Sequence, residues 1–283
     1  MLPITSDIIE LIDKALSEDL ANQDPTTGML VPPSQLGEAV ILAKAEGILA
    51  GVDVALAVFT RLDPSLETEI YVEDGTPLST GNHIAAVRGH LDGILRAERT
   101  ALNFIQRMSG IATETSRHVR AVQGLPVQII DTRKTVPGHR YLDKYAVRMG
   151  GGRNHRMNLA DGILVKDNHI AALRIQELSL GDTVRLALER APHTLKVEVE
   201  VESIEEAREA LDAGAHILLL DNMGLDEMRQ AATLAKGQAL TEASGGINLE
   251  TVRAVAETGV DLISVGALTH SVVALDISLD LQV

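Results

Sequence analysis

The 283-residue chain contains no cysteine, which removes disulfides, thiolate metal sites and redox-active thiols from its chemistry. As an indicator of compartment the absence is weak. Positive charge is also in short supply: 25 Lys and Arg stand against 40 Asp and Glu, a formal net charge of −15. A global field of that sign repels polyanions, which argues against nonspecific nucleic-acid binding and adhesion to anionic membranes. Long apolar runs are missing too. The most apolar long window, residues 41–59, is interrupted by Lys44, Glu46 and Asp53 and is too polar to span a bilayer. The opening "MLPITSDIIE" has neither the basic start nor the continuous apolar segment of a signal peptide. There is no HExxH pair, nucleophile elbow, EF-hand loop, dinucleotide fingerprint or P-loop. The expectation is a cytoplasmic protein that must hold any anionic ligand by local positive charge.

With 45% apolar residues, the chain can bury a substantial core as one large domain or two unequal ones. From about residue 125 onward, short apolar runs end in polar residues: "VQIID", "GILVKD", "LKVEVEVE", "ILLLDN", "ALTEASGG" and "LISVGA". Between them lie helical stretches. Ser203 with Glu206 forms a capping box and Gly214 a stop, and Asn248 begins a further helix that Gly259 ends. Strand and helix alternate about every 22 residues over the last three units, which implies parallel strands with right-handed crossovers. The fold class is α/β, and an α/β barrel, closed or incomplete, fits best. The first ~105 residues lack this rhythm. They predict a helix near residues 6–20, strands around 37–45, 68–72 and 83–89, and a helix over 91–109, as in a separate α+β domain.

In "LKVEVEVES", Val197, Val199 and Val201 face one side, and Lys196, Glu198, Glu200 and Glu202 the other. Alone, this describes a solvated edge strand. Between two parallel βα units both faces should be covered, so the valines would meet helices and the carboxylates would enter the barrel lumen. Charge in a lumen that is usually apolar points to a site.

In parallel α/β folds, functional groups gather at the carboxyl ends of strands. Those ends supply Arg133 and Lys134, then Lys166, Glu200, Asp221, the turn Ser244-Gly245-Gly246, and Gly266-Ala267. Residues 132–166 hold eight Arg and Lys against two Asp, a local reversal of the chain's charge. Arg133, Lys134, Arg156 and Lys166 suit carboxylates and phosphates, with Arg able to grip an oxyanion pair bidentately. Glu200 and Asp221 are hard oxygen groups suited to hydroxyls or Mg²⁺. His155, between basic neighbours, reads as a donor to an anion, although a lone histidine is more often packed or simply exposed. The glycine-rich ends of the last two strands match a barrel phosphate site, and equally a tight strand-to-helix turn.

"DTRKTVPG", "KYAVRMGGGRNHRMNLADGILVKDNHI", "ERTALNFIQRMSGIAT", "VEVEVES", "LLLDN", "ASGGI" and "ALDISL" together resemble the quinolinate phosphoribosyltransferase family, the carboxylating nicotinate-nucleotide pyrophosphorylases of NAD biosynthesis. The resemblance spans nearly the whole chain, in order. "ASGGI" recurs in many barrels, whereas "DTRKT…GGGRNHR…KDNHI" at this spacing is highly specific. It implies the type II phosphoribosyltransferase fold, with an N-terminal α/β sandwich domain over residues 1–108, an α/β barrel over 109–270, and residues 271–283 packing with the first domain. It further implies a homodimer or higher homo-oligomer with shared sites, and joining of quinolinate to phosphoribosyl pyrophosphate with Mg²⁺ and no organic cofactor. By position, Arg99, Arg133, His155, Arg156 and Lys166 match residues around quinolinate. Lys134, Lys166, Glu200 and Asp221 match those around phosphoribosyl pyrophosphate, and Glu200 and Asp221 serve the metal directly or through water. Ser244, Gly245, Gly246, Gly266 and Ala267 fall near the 5′-phosphate. Catalysis is then expected from Lys134, Lys166, Glu200 and Asp221. The chain departs from the family at "NQDPTTGML", where a "GD-ITT"-like turn is usual, and at Asn158, where glycine is common. A branch associated with molybdenum transport shares much of the barrel pattern, and the intact "GGGRNHR" favours quinolinate.

Overall fold

Helix α1 (Ser6–Glu18) turns Ile8, Ile12 and Leu16 inward at a four-residue spacing, the apolar stripe of a helix that lies on a core. The computed structural model describes residues 2–175 and 177–282, the side chain of Arg174 excepted. The chain divides into two compact units, one drawn from Met1–Ser116, Val136–Gly151 and Val272–Val283, the other from Arg117–Thr135 and Gly152–Ser271.

In the first unit, α1 is followed by α2 (Pro25–Leu30), β1 (Leu36–Ala43), β2 (Gly47–Ile48), α3 (Val52–Leu62), β3 (Glu67–Ile70), β4 (Pro77–Leu78) and β5 (His83–His90). Asp24 starts α2 by accepting from the backbone N–H of Thr26 and Thr27, with Pro25 in the first turn, so "NQDPTTGML" is a capped helix start. The strands form an antiparallel sheet in the order β12-β1-β5-β3, where β12 (Ile277–Gln282) comes from the end of the chain. Val54, Ala55, Val58 and Phe59 of α3 are fully buried.

Helix α4 (Leu91–Ala121) runs well past residue 109, where the sequence suggests a stop. Gly110 has a different task. A Cβ there would overlap the carbonyl of Val273, so the missing side chain allows backbone to cross the helix closely. Helix α5 (Arg140–Met149) groups with the first unit, and Arg107 of α4 grips its buried Asp143 through two hydrogen bonds of 3.1 and 2.9 Å. The units therefore interleave in sequence: the first takes in Val136–Gly151 and the C-terminal Val272–Val283.

In the second unit, β6 (Gln128–Ile130), β7 (Ile163–Val165), β8 (Val197–Val201), β9 (Ile217–Asp221), β10 (Leu240–Ser244) and β11 (Leu262–Ser264) form a wholly parallel sheet in the order β6-β11-β10-β9-β8-β7. Its helices are α6 (Asp167–Arg174), α7 (Leu180–Arg190), α8 (Ile204–Asp212), α9 (Leu225–Ala235), α10 (Val252–Ala256) and α11 (Ala267–His270). Ser203 caps α8 as its sequence predicts, accepting from Glu206 N–H at 3.2 Å. Val197, Val199 and Val201 are fully buried, consistent with a strand covered on both faces. Among the described residues β6 and β7 do not pair, so the barrel is incomplete. The free edge of β6 instead takes one parallel bridge, Ile130 to Arg153. No helix among the described residues is long and apolar enough to cross a membrane.

Candidate active site

At the carboxyl ends of the parallel strands lies a pocket of about 570 Å³. Its polar lining includes Arg133, Lys134, His155, Arg156, Lys166 and Glu200, with Asp221, Asn222, Glu242 and the 244–246 turn continuing it. Another pocket, of about 600 Å³ and lined by Lys196, His216, Leu240 and Asp261, sits at the amino ends of the same strands. Ligands in parallel α/β folds bind at the carboxyl ends, so the first pocket is the candidate.

Its cationic wall is built on Asp131, which is fully buried just after β6. Asp131 accepts from Asn154 Nδ2 at 2.6 Å and from the His155 backbone N–H at 2.8 Å. Backbone bonds from Arg153 N–H to Ile129 O (2.9 Å) and from Asp131 N–H to Arg153 O (3.1 Å) stitch the same segment to the strand. Arg153 of "GGGRNHR" thus takes the sheet edge that a further strand would occupy in a full barrel. Arg156 donates from its guanidinium to Gly162 O at 2.9 Å. Burial lowers the Arg156 pKa from its ordinary value, the nearby Arg133 charge lowers it further, and Glu198 opposes both. Arg133 Nε is buried and has no hydrogen-bonding partner among the described residues. Two crowded guanidinium groups, one with a buried donor unserved, form a site that an anion would stabilise.

The opposite chemistry comes from β8 and β9. Glu200 lies 4.0 Å from Lys166 Nζ, with its side chain 13% exposed. Burial raises the Glu200 pKa above the usual carboxylate value; Lys166 opposes the rise and the charge of Asp221 adds to it. Asp221 is held by Asn222, whose Nδ2 donates to Asp221 Oδ2 at 2.9 Å. Two neighbouring carboxylates suit Mg²⁺, which keeps several waters and shares its coordination with phosphate oxygens. A tighter group of possible metal ligands is His155, Glu198 and Glu242, with one ligand atom from each within 4.8 Å of the others.

Most of the expected residues converge. Arg133, Lys134, His155, Arg156, Lys166, Glu200, Asp221, Ser244, Gly245 and Gly246 all line the pocket. Gly266 and Ala267 are not in the lining; they open α11, whose Thr269 hydroxyl donates to Lys134 O at 2.8 Å. Arg99 is an exposed residue of α4 in the first unit and is not among the lining residues. The concentration of positive charge over 132–166 divides: Arg140, Lys144 and Arg148 belong to α5, with Lys144 fully buried and Arg148 over the Tyr145 ring. His155 faces inward, its Nε2 at 3.1 Å from Glu198 and its Nδ1 accepting from Arg156 N–H at 2.7 Å. Sequence reasoning passed over Glu242, Asn222 and Ser264. The signal for Glu242 was a lone charge in the middle of an apolar strand, "ALTEASGG".

Parallel strands bringing cations and carboxylates together at their carboxyl ends define a barrel enzyme for small, strongly anionic substrates. The chain belongs to the quinolinate phosphoribosyl transferase family: residues 111–280 match its C-terminal domain and residues 24–109 its N-terminal domain. It is 45% identical over 271 residues to the probable nicotinate-nucleotide pyrophosphorylase (carboxylating) of Bacillus subtilis (strain 168), covering 96% of this chain and 92% of the relative. Over 294 aligned positions it is 44% identical to the mitochondrial quinolinate phosphoribosyltransferase (decarboxylating) 2b of Nicotiana tabacum, covering 98% of this chain and 83% of that protein. The solved nicotinate-nucleotide pyrophosphorylase of Francisella tularensis superposes with a TM-score of 0.92 at 36% identity, covering 100% and 98% of the two chains.

Proposed function

We propose that this protein transfers the phosphoribosyl group of phosphoribosyl pyrophosphate to quinolinate with decarboxylation, giving nicotinate mononucleotide, pyrophosphate and carbon dioxide in NAD biosynthesis. The observation that carries the reading is the pairing of Arg133, with its buried unserved Nε, and Arg156 in a pocket that also holds Glu200 and Asp221. Two guanidinium groups suit the adjacent carboxylates of a pyridine dicarboxylate. Lys134 and Lys166 suit a diphosphate, and the turn at Ser244, Gly245 and Gly246 suits a terminal phosphate.

In this reading the pyridine nitrogen attacks ribose C1, a C–N bond forms, and the C1–O bond breaks with its electron pair leaving on pyrophosphate. Positive charge develops on the sugar, where Glu200 and Asp221 stabilise it, while Lys134 and Lys166 neutralise the departing oxygens. The quaternised ring then accepts the electron pair of the breaking bond to the C2 carboxylate. Carbon dioxide leaves and the ring carbon takes up a proton. Glu200 and Asp221 would also hold Mg²⁺, directly or through water, which when bound supplies charge neutralisation for the diphosphate. No organic cofactor is needed for these steps. Most of the protein's contribution is positioning and electrostatic preorganisation.

The exposure of Arg99 on α4 supports its use in a neighbouring subunit's pocket, hence a homodimer or higher assembly with shared sites. The acidic charge and soluble substrates support a cytoplasmic location, with neither nucleic acid nor membrane as partner. The test is incubation of the purified protein with quinolinate, phosphoribosyl pyrophosphate and Mg²⁺. Nicotinate mononucleotide and carbon dioxide should appear in equal amounts, and absence of both from the folded protein would overturn the reading.

A further inference from the structure

Behind the cationic wall, three side chains from distant parts of the sequence meet. His155 Nε2 lies 3.1 Å from Glu198 Oε2 and 3.6 Å from Glu242 Oε2. Glu198 is 6% exposed and Glu242 2%, so both carboxyls are removed from water. Neither belongs to the set expected to touch substrate. We propose that Glu198 and Glu242 are positioning residues, an acid pair that holds the His155 imidazole by its Nε2–H and through that ring fixes the backbone carrying Arg156.

The direction of the ring is set by its other nitrogen. Arg156 N–H donates to His155 Nδ1 at 2.7 Å, so Nδ1 presents its lone pair and the ring proton sits on Nε2, facing the carboxyls. The imidazole is therefore a strut between β8 and β10 on one side and the 154–156 backbone on the other. Asp131 holds that backbone from beneath, through His155 N–H at 2.8 Å and Asn154 Nδ2 at 2.6 Å. With the Arg156 guanidinium tied to Gly162 O at 2.9 Å, the segment has fixed points on either side of the arginine stem. Loss of the strut would leave Arg156 free to swing away from a carboxylate in the pocket.

Two ionised carboxyls buried side by side would repel, and a proton resolves the conflict. Burial, and then the Glu198 charge, push Glu242 up to about 8, with His155 opposing. The hydrogen bond between the two carboxyls accordingly runs from Glu242 to Glu198. Glu198 Oε1, buried and without a hydrogen-bonding partner among the described residues, is the open acceptor of the pair. The same three residues could ligate a cation, but the Arg156 charge bears on Glu198, and Arg133 stands beside Arg156. Positive charge there disfavours a metal ion, whereas a proton fills the site without it.

The inference rests on quinolinate as the ligand of the arginines. Its test compares E198Q, E242A and E242Q with the wild type, using separate KM values for quinolinate and phosphoribosyl pyrophosphate. E198Q and E242A should raise the quinolinate KM by about tenfold or more, the effect of losing a charge-assisted hydrogen bond, with the other KM within about twofold. E242Q, the isostere of the protonated acid, should recover most of the loss caused by E242A. In an H155N background E198Q should add less than about twofold, because the pair acts through the ring. Equal damage from E242Q and E242A, equal shifts in both KM values, or full additivity with H155N would overturn the proposal. Nitrogen-15 NMR of the histidines, which needs no substrate, should show His155 as the Nε2–H tautomer with its signal moved in E198Q. The Nδ1–H tautomer would sink the idea. So would one equivalent of a divalent metal that survives gel filtration in the wild type and is lost in both E198Q and E242Q. Absence of wild-type turnover with quinolinate would count against the functional reading alone, since the tautomer measurement still decides the pair.

Discussion

Gly245 lies so close to Asn222 that a Cβ on the glycine would overlap Asn222 Oδ1. Both residues have left-handed backbone, φ +98° for Gly245 and +53° for Asn222. Asn222 also donates its backbone N–H to Ser244 O at 3.0 Å and its Nδ2 to Asp221 Oδ2 at 2.9 Å. The glycine turn after β10 and the carboxylate at the end of β9 are thus parts of one arrangement.

Gly245→Ala should therefore damage activity through Asp221 as well as through phosphate binding. Strain at a positive φ and the overlap with Asn222 should cost more than about 1 kcal/mol of stability. The variant should remain folded, with kcat reduced about tenfold or more. A melting curve together with steady-state kinetics checks both, and wild-type kcat would disprove the coupling.

Glu200→Gln and Asp221→Asn keep shape and remove charge. If the carboxylates stabilise charge developing on the ribose, each substitution should lower kcat by about 10² or more, in the range for deleting an electrostatic contact of this type. Circular dichroism should confirm the fold. Near-normal turnover in either folded variant would return that carboxylate to a structural role.

Quinolinate should be used far better than nicotinate. A ligand with one carboxylate leaves a half-buried guanidinium unpaired, and sites built to bond a polar group reject analogues lacking it by up to about 10⁴–10⁵. Competition between the acids, read as a ratio of kcat/KM, decides the matter. Comparable values would remove Arg133 and Arg156 from the recognition of two carboxylates.

Glu242 gives stability a defined pH dependence. Its folded pKa is raised to about 8 from the ordinary 4.5, by burial first and by Glu198 next, so the folded protein binds the extra proton between those values. The contribution is fully present below about pH 4.5 and is lost as pH rises through about 8, a change of the order of a few kcal/mol. The groups facing Glu242 are Glu198 on β8, His155 and the Ser264 hydroxyl on β11. Melting temperatures of wild type and E242Q, measured from pH 5 to 9, should diverge in favour of E242Q as pH rises. A constant difference would show that Glu242 does not hold its proton.

Arg99→Ala and Lys134→Ala should each be nearly inactive as homodimers, and their mixture should recover. In a mixed dimer with shared sites, one pocket carries both defects and the other neither. Random exchange of independent sites gives about a quarter of wild-type activity. Mass spectrometry can establish that mixed dimers form. If they form and stay inactive, Arg99 serves its own chain.

What was legible in the sequence was local. The alternation of Val197, Glu198, Val199, Glu200 and Val201 identified a strand covered on both sides with carboxylates inside, because side chains alternate along a strand wherever it lies. Strand ends followed by polar residues marked Arg133, Lys134, Lys166, Glu200 and Asp221 as neighbours, since parallel strands present their carboxyl ends together. Gly110 lies just past the expected end of a helix that in fact continues, and its role is set at long range: it admits the Val273 carbonyl from a segment more than a hundred and fifty positions away. The charge count over 132–166 likewise treated α5 as part of the pocket, although that helix turns Asp143 to Arg107 and groups with the first unit.

By itself, the sequence determined composition, charge, the strand and helix rhythm and the types of side chain at each strand end, all of which depend on residues within a few positions of one another. Only the tertiary structure decided that Glu198 and Glu242, on strands separated by β9, share one imidazole, and that His155 turns its Nε2 to them. It also decided that the free edge of β6 is bridged by Arg153 rather than by a closing strand. The physical reason is that sheet order and register bring together groups remote in sequence, and the protonation state of a buried carboxyl depends on which of those groups it meets.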